Sequence, residues 1–146
     1  MLTDLHDIHN LLGRFANSFD LKDWDALAAC LTPSVYTDYS DLRGTPPEQM
    51  SNLHYADLRR IALQELQTHH VGSNTEIDLD SSVTTEARAR VSTIIYRKNK
   101  NGETLHTHCL YAFGLQKDAG KWLISSIVQK VYWSDGQTAI HKGIIK

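Results

Sequence analysis

Thr68-His69-His70-Val71-Gly72-Ser73-Asn74 is the stretch on which the reading of this chain turns, because the hydrophobic period changes there. Upstream, apolar residues recur every three or four positions, as on a helix face; downstream they alternate, as on a strand. A histidine at such a junction can project into the space between helices and sheet. An imidazole titrates close to neutrality, so a small change of environment makes it a working base. The same residues could also be structural, satisfied by hydrogen bonds at a strand end.

On the upstream side, residues 3–19 carry Leu5, Ile8, Leu11, Leu12, Phe15 and Phe19, the stripe of an amphipathic helix. Thr3 is its expected N-cap, with Asp4 and Asp7 at the positive end of the helix dipole. Asp20 falls where that helix ends. The dipole disfavours a carboxylate there, so solvent or a partner such as a histidine must account for it. A short second helix from Asp23 aligns Trp24, Leu27, Ala28 and Leu31, and Pro33 is expected to end it. Ser34–Ser40 alternates like a strand, and Arg43-Gly44 reads as a turn. Thr45-Pro46-Pro47-Glu48 has the composition of a capped helix start, predicting a third helix to about Gln67 that buries Met50, Leu53, Leu58, Ile61 and Leu66.

On the downstream side, Val71–Leu79, Glu86–Lys98, Glu103–Gln116 and Lys121–Trp133 read as four strands. Asn101-Gly102 and Asp118-Ala119-Gly120 are the hairpin signals between them. Helices first and strands after predict an α+β fold, with the helices packed on one face of a strongly curved, mainly antiparallel sheet. At 146 residues and 41% hydrophobic content, the chain reads as one domain, 1–146, with a real core. The tail after Gly136 is expected to be frayed or engaged in subunit contact.

Composition narrows the function. A net charge of -2 gives no case for nucleic acid or an anionic membrane as partner. The basic clusters, Arg59-Arg60 and Arg97-Lys98 with Lys100, read as solvated faces. No apolar run is long enough for a bilayer, and Met1-Leu2-Thr3-Asp4 shows no secretory signal. Cys30 and Cys109 read as buried, reduced thiols of a cytoplasmic protein. His106-Thr107-His108 puts two imidazoles on one strand face, and His6 and His9 are neighbours on the first helix, but nothing nominates a third ligand. No metal and no cofactor are therefore expected. Phosphate loops, a Gly-x-Ser-x-Gly elbow and a cysteine nucleophile site are absent from the sequence.

Acid–base chemistry remains. Helices laid on a curved sheet form a cone whose open end is a pocket, and Asp20, Tyr39 and His70 all lie at segment ends that could line it. Asp20 accepting from one ring nitrogen of His70 would leave the other free to take a proton, while Tyr39 could donate to a carbonyl or leaving oxygen.

The runs Phe15-Ala16-Asn17-Ser18-Phe19-Asp20-Leu21-Lys22-Asp23-Trp24-Asp25, Thr37-Asp38-Tyr39, Thr68 to Asn74 and Gly120-Lys121-Trp122-Leu123-Ile124, with Trp133 and Gly136, resemble the SnoaL-like branch of the NTF2-like superfamily. The resemblance covers nearly the whole chain in the same order. It implies a cone-shaped α+β barrel and cofactor-free lyase chemistry on a small, largely apolar molecule, of the type seen in scytalone dehydratase and lindane dehydrochlorinase. Asp20 and His70 match the acid–base pair of those enzymes, and Tyr39 matches an assisting tyrosine. Phe19 stands where scytalone dehydratase has a second tyrosine, Thr93 near its second histidine and Tyr111 near its pocket asparagine. With Trp24 and Tyr55, these are the expected substrate-binding residues. Asp38 loosely matches the base of ketosteroid isomerase.

The resemblance also implies a homo-oligomer, dimer or trimer, through the outer sheet face. His69, His106 and His108 are expected on that face because strand neighbours point to opposite sides. Two alternatives stay beside the dehydratase reading: an isomerase using the same pocket, and a non-catalytic module that binds a small ligand or a protein partner.

Overall fold

The apolar stripe of the first segment does form a helix, α1 (Leu2–Asp20), with Ile8, Leu11, Leu12, Phe15 and Phe19 buried. Identified here in a computed structural model that describes residues 2–80 and 82–146, the remaining elements are α2 (Trp24–Ala29), β1 (Leu31–Asp38), α3 (Ser40–Arg43), β2 (Glu48–Ser51), α4 (Asn52–Leu63), β3 (Leu66–Leu79), β4 (Glu86–Asn99), β5 (Thr104–Asp118) and β6 (Lys121–Gly136), followed by a 3-10 turn at Thr138–Ile140. Thr3 lies inside α1 rather than capping it. The first turn is instead tied down by Asp4, which accepts from Trp122 Nε1 and Lys117 Nζ, both at 2.9 Å. No helix among the described residues is long and apolar enough to cross a membrane.

The six strands form one sheet in the order β2-β1-β6-β5-β4-β3. It is mixed: β1 runs parallel to β6 and every other pair is antiparallel. The β4–β5–β6 meander follows the expected alternation. Ala87, Ala89, Val91, Thr93, Ile95 and Arg97 of β4 face inward, as do Leu105, Thr107, Cys109, Tyr111, Phe113 and Leu115 of β5. Phe15 links helix to sheet, its ring edge-on to Phe19, Tyr111 and Phe113. Each such aromatic buries enough apolar surface to contribute about 2–3 kcal/mol.

Five expectations are corrected. The expected third-helix start is an extended segment instead: Glu48–Ser51 pairs with β1, Val35 opposite Met50, and two consecutive prolines favour that extended entry. The helix begins only at Asn52, where the Ser51 hydroxyl accepts the His54 N–H at 3.1 Å. It ends at Leu63 and buries Tyr55, Ala56 and Leu63, leaving Leu53 and Ile61 exposed.

Pro33 does not end α2, which stops at Ala29. It sits in β1, where the register with β6 shifts between Leu31 and Tyr36. Such an irregularity is where a strand tolerates a residue without an N–H. Tyr39, expected in that strand, instead precedes α3.

β3 opens at Leu66, so His70 is inside a strand rather than at its start. Finally, the tail is packed. Ile144 joins Leu42, Leu105 and Val131 in a small second core, and the Ile145 N–H donates to Leu42 O at 2.7 Å.

Candidate active site

Asp20, the last residue of α1, reaches across to β3. Its Oδ1 accepts from Thr68 Oγ1 at 2.9 Å and lies 2.6 Å from His70 Nδ1, while Oδ2 accepts the His70 backbone N–H at 2.8 Å. A carboxylate can only accept, so Nδ1 carries the hydrogen, and in the neutral imidazole Nε2 keeps its lone pair. Nε2 has no hydrogen-bond partner among the described residues. Burial would raise the Asp20 pKa, but the His70 ring, its backbone N–H and the Thr68 hydroxyl outweigh that and hold the group below its ordinary value. The pair is largely withdrawn from water, the side chains of His70 and Asp20 being 5% and 16% exposed. Phe19 covers the imidazole, ring centroids 4.8 Å apart.

His70 lies on the wall of two spaces, and Tyr111 lies on both as well. The larger is about 240 Å³ and mostly apolar, bounded by Leu12, Phe15, Val91, Thr93 and Phe113, with His9 and Asn17 at its helical rim. The smaller, about 30 Å³, is bounded by Phe19, Tyr39, Gln129, His141 and three arginines, Arg43, Arg59 and Arg97.

Of the residues singled out from sequence, Phe19, Tyr39, Thr93 and Tyr111 therefore line these spaces together with His70. Two do not. Trp24 stands behind Phe19, edge-on with centroids 6.4 Å apart, and Tyr55 is fully buried behind Tyr39. The two phenols meet, oxygen to oxygen, at 2.5 Å. Burial holds Tyr39, Tyr55 and Tyr111 above the ordinary phenol range, so all are neutral donors at neutral pH. Asp38 accepts from the backbone and hydroxyl of Ser40 and lines neither space.

The arginines are the residues that sequence reading misplaced. Arg97 is buried rather than solvated, and its Nη1 donates to Thr107 Oγ1 at 2.7 Å. Arg59 lays its guanidinium over the rings of Tyr39 and Tyr55, 4.5 and 4.6 Å from their centroids. Arg43 donates from Nη2 to His141 Nε2 at 3.1 Å. Burial, reinforced by Arg97, Arg43 and Arg59, pushes His141 down to about 3, so it is a neutral acceptor there. Two signals were available. Arg97 shares the parity of the apolar residues 87–95, and Arg59 follows Tyr55 by one helical turn.

Elsewhere the residues fall as expected. His69 lies on the outer face near Tyr96, His106 meets Tyr96 edge-on at 4.8 Å, and His108 stacks on Trp133 at 4.3 Å. Cys30 and Cys109 are free and buried, which pushes both thiols up to about 11.

An α+β cone, with a pocket between helices and curved sheet and in its wall an imidazole bonded to a carboxylate, is an NTF2-like architecture. Within it, the SnoaL-like domain family matches residues 1–128, and this chain belongs to that family. It is 30% identical over 146 residues to the scytalone dehydratase-like protein claB of Passalora fulva, covering 90% of this chain and 87% of that one. Among solved structures, the Kfla4162 protein of Kribbella flavida superposes with a TM-score of 0.84 at 21% identity, covering 91% of this chain and 93% of that one. The hexachlorocyclohexane dehydrochlorinase LinA-type3 of Novosphingobium barchaimii LL02 gives 0.78 at 13% identity, covering 96% and 94%. At such identities the two superpositions speak to fold alone.

Proposed function

We propose that this chain is a cofactor-free lyase in which His70 Nε2 removes a proton from carbon and Asp20 holds the imidazole in the required tautomer. The observation that carries this reading is a buried imidazole with Nδ1 bonded to a carboxylate and Nε2 unclaimed on the wall of an apolar pocket. The dehydratase-like relative supports an elimination over other proton-transfer reactions.

In the proposed reaction, Nε2 takes a proton from the carbon next to a carbonyl, and the electron pair moves toward that carbonyl oxygen. As it returns to form the carbon–carbon double bond, the neighbouring C–O bond breaks. The departing hydroxide takes the proton from the imidazolium and leaves as water, so the enzyme ends as it began. Asp20 stabilises the imidazolium while it exists. Tyr39 is the donor suited to the carbonyl oxygen. Tyr55 is fully buried with Tyr39 as its hydroxyl partner, so Tyr55 donating to Tyr39 frees the Tyr39 hydrogen for the small space.

The proposal includes a homo-oligomer through the outer sheet face, where Tyr96, Tyr132 and Trp133 are exposed beside His69, His106 and His108. Light scattering of the purified protein checks it, and a monomer at working concentration removes it.

Hydroxylated aromatic, polyketide-like and steroid compounds should be screened for water loss by absorbance and mass. With any substrate found, His70→Gln is expected to lower kcat by about 10²–10⁴-fold at unchanged fold. Full activity in that variant would end the general-base reading, and turnover of no compound by the wild type would return the pocket to simple ligand binding.

A further inference from the structure

We propose that the chamber bounded by Arg43, Arg59 and Arg97 is an anion site, and that the molecule taken by the His70 pocket is ring-sized and carries a carboxylate that enters this chamber. The inference rests on the pocket reading above and adds the substrate class to it.

Three guanidinium groups line one space of about 30 Å³. None is in an ion pair with a carboxylate among the described residues, although the chain has 17 acidic residues against 15 Lys and Arg. Acids were available, and none was placed there. The partners are neutral: the Thr107 hydroxyl for Arg97, two phenol rings for Arg59, and His141 Nε2 with Lys142 O for Arg43. Burying like charges without a counter-ion is expensive in any low-dielectric site, and an anionic ligand offsets that cost.

The unused donors point the same way. Arg43 Nε is buried and bonds to nothing. Once His141 Nε2 accepts from Arg43, its hydrogen is on Nδ1, and that atom too is buried without a partner, in a residue only 5% exposed. Gln129, 1% exposed on the same wall, has an unpartnered Oε1. Turning the amide lets Tyr111 and Cys109 donate to the oxygen and presents the NH₂ instead. Arg43 Nε and His141 Nδ1 each lack an acceptor that a carboxylate supplies, and Gln129 joins them in its turned orientation.

The chamber, at about 30 Å³, is the smaller of the two spaces, and a carboxylate is the smaller part of the molecule. The ring belongs in the adjoining 240 Å³, and His70 with Tyr111 stands on the wall of both spaces, beside the bonds that join ring and carboxylate.

The test uses 1-naphthoate and its neutral isostere 1-naphthamide as probes, titrated into the wild-type protein by calorimetry and by NMR of arginine Nε–Hε and histidine ring signals. Naphthoate is expected to bind at least tenfold more tightly, shifting the signals of Arg43, Arg59, Arg97 and His70. Arg43→Gln, at the partly exposed edge, should keep the fold by circular dichroism and cut the preference at least threefold. Asp20→Asn should retain the preference whatever happens to catalysis, which separates this proposal from the lyase reading. Equal affinities, no naphthoate binding, or shifts confined to the outer sheet face would overturn it.

Discussion

Asp20 ends a helix, where its charge is disfavoured by the dipole, yet it receives three hydrogen bonds from β3. Asparagine has one acceptor oxygen and cannot serve all three. Asp20→Asn is therefore expected to cost about 1–3 kcal/mol of stability, seen in urea unfolding. Because the Asp20 pKa is lowered by folding, its contribution is present above about pH 4 and lost as pH falls through the folded value.

His141 acts higher on the pH scale. It is held neutral down to about pH 3, while an unfolded imidazole protonates near 6.5, so stability falls as pH drops between those values. His141→Gln keeps an acceptor for Arg43 and does not titrate. It should remove on the order of a few kcal/mol of the acid loss, measured by urea titrations at about pH 7 and pH 4. Asp20 and His70 stood out in the sequence as an anomalous helix-end carboxylate and the mark of a change of period, and their pairing rested on the family resemblance. His141 did not stand out, since nothing in a short tail announces that it folds back under three arginines.

β2 and α4 show where element-level reading goes astray. Thr45-Pro46-Pro47-Glu48 satisfies the rules for a helix start, but edge pairing with β1 supplies backbone bonds that a first helical turn would lack. The true cap is Ser51. Ser51→Ala should cost about 1 kcal/mol, and Thr45→Ala should stay within about 0.5, compared by thermal unfolding. A reversed order would mean that the helix starts earlier. The same shift rotates α4 so that Tyr55 and Arg59 face inward and Leu53 faces out, which is why hydrophobicity alone chose the wrong buried face. The long strands carried no such competition. Their alternation and the Asn101-Gly102 turn, with Gly102 at φ 81°, specify one register.

Across the whole molecule, the tail holds α3 against β5 and β6 through Ile144, the bond from the Ile145 N–H to Leu42 O, and the 2.8 Å pair between Lys146 and Asp41. Deleting residues 137–146 should cost about 2–5 kcal/mol, the range for losing a large buried side chain, and raise binding of an apolar dye. Unchanged stability would show that the tail merely lies on the surface. The layout of helices on a curved sheet was readable because each level of the sequence agrees with it. The parallel contact of β1 with β6 was not, because strand pairing leaves no local mark.

That contact has a consequence for synthesis. Thr32 and Ile124, which are joined by a side-chain hydrogen bond, are 92 positions apart. At about 5–20 residues per second, β1 waits roughly 5–20 s on the ribosome before its parallel neighbour has been made. Throughout that interval Leu31 and Val35, which are core residues in the finished fold, have no sheet to enter from that side. The nascent chain thus carries this apolar edge open to aggregation, with its helices already made, until β6 has been synthesised.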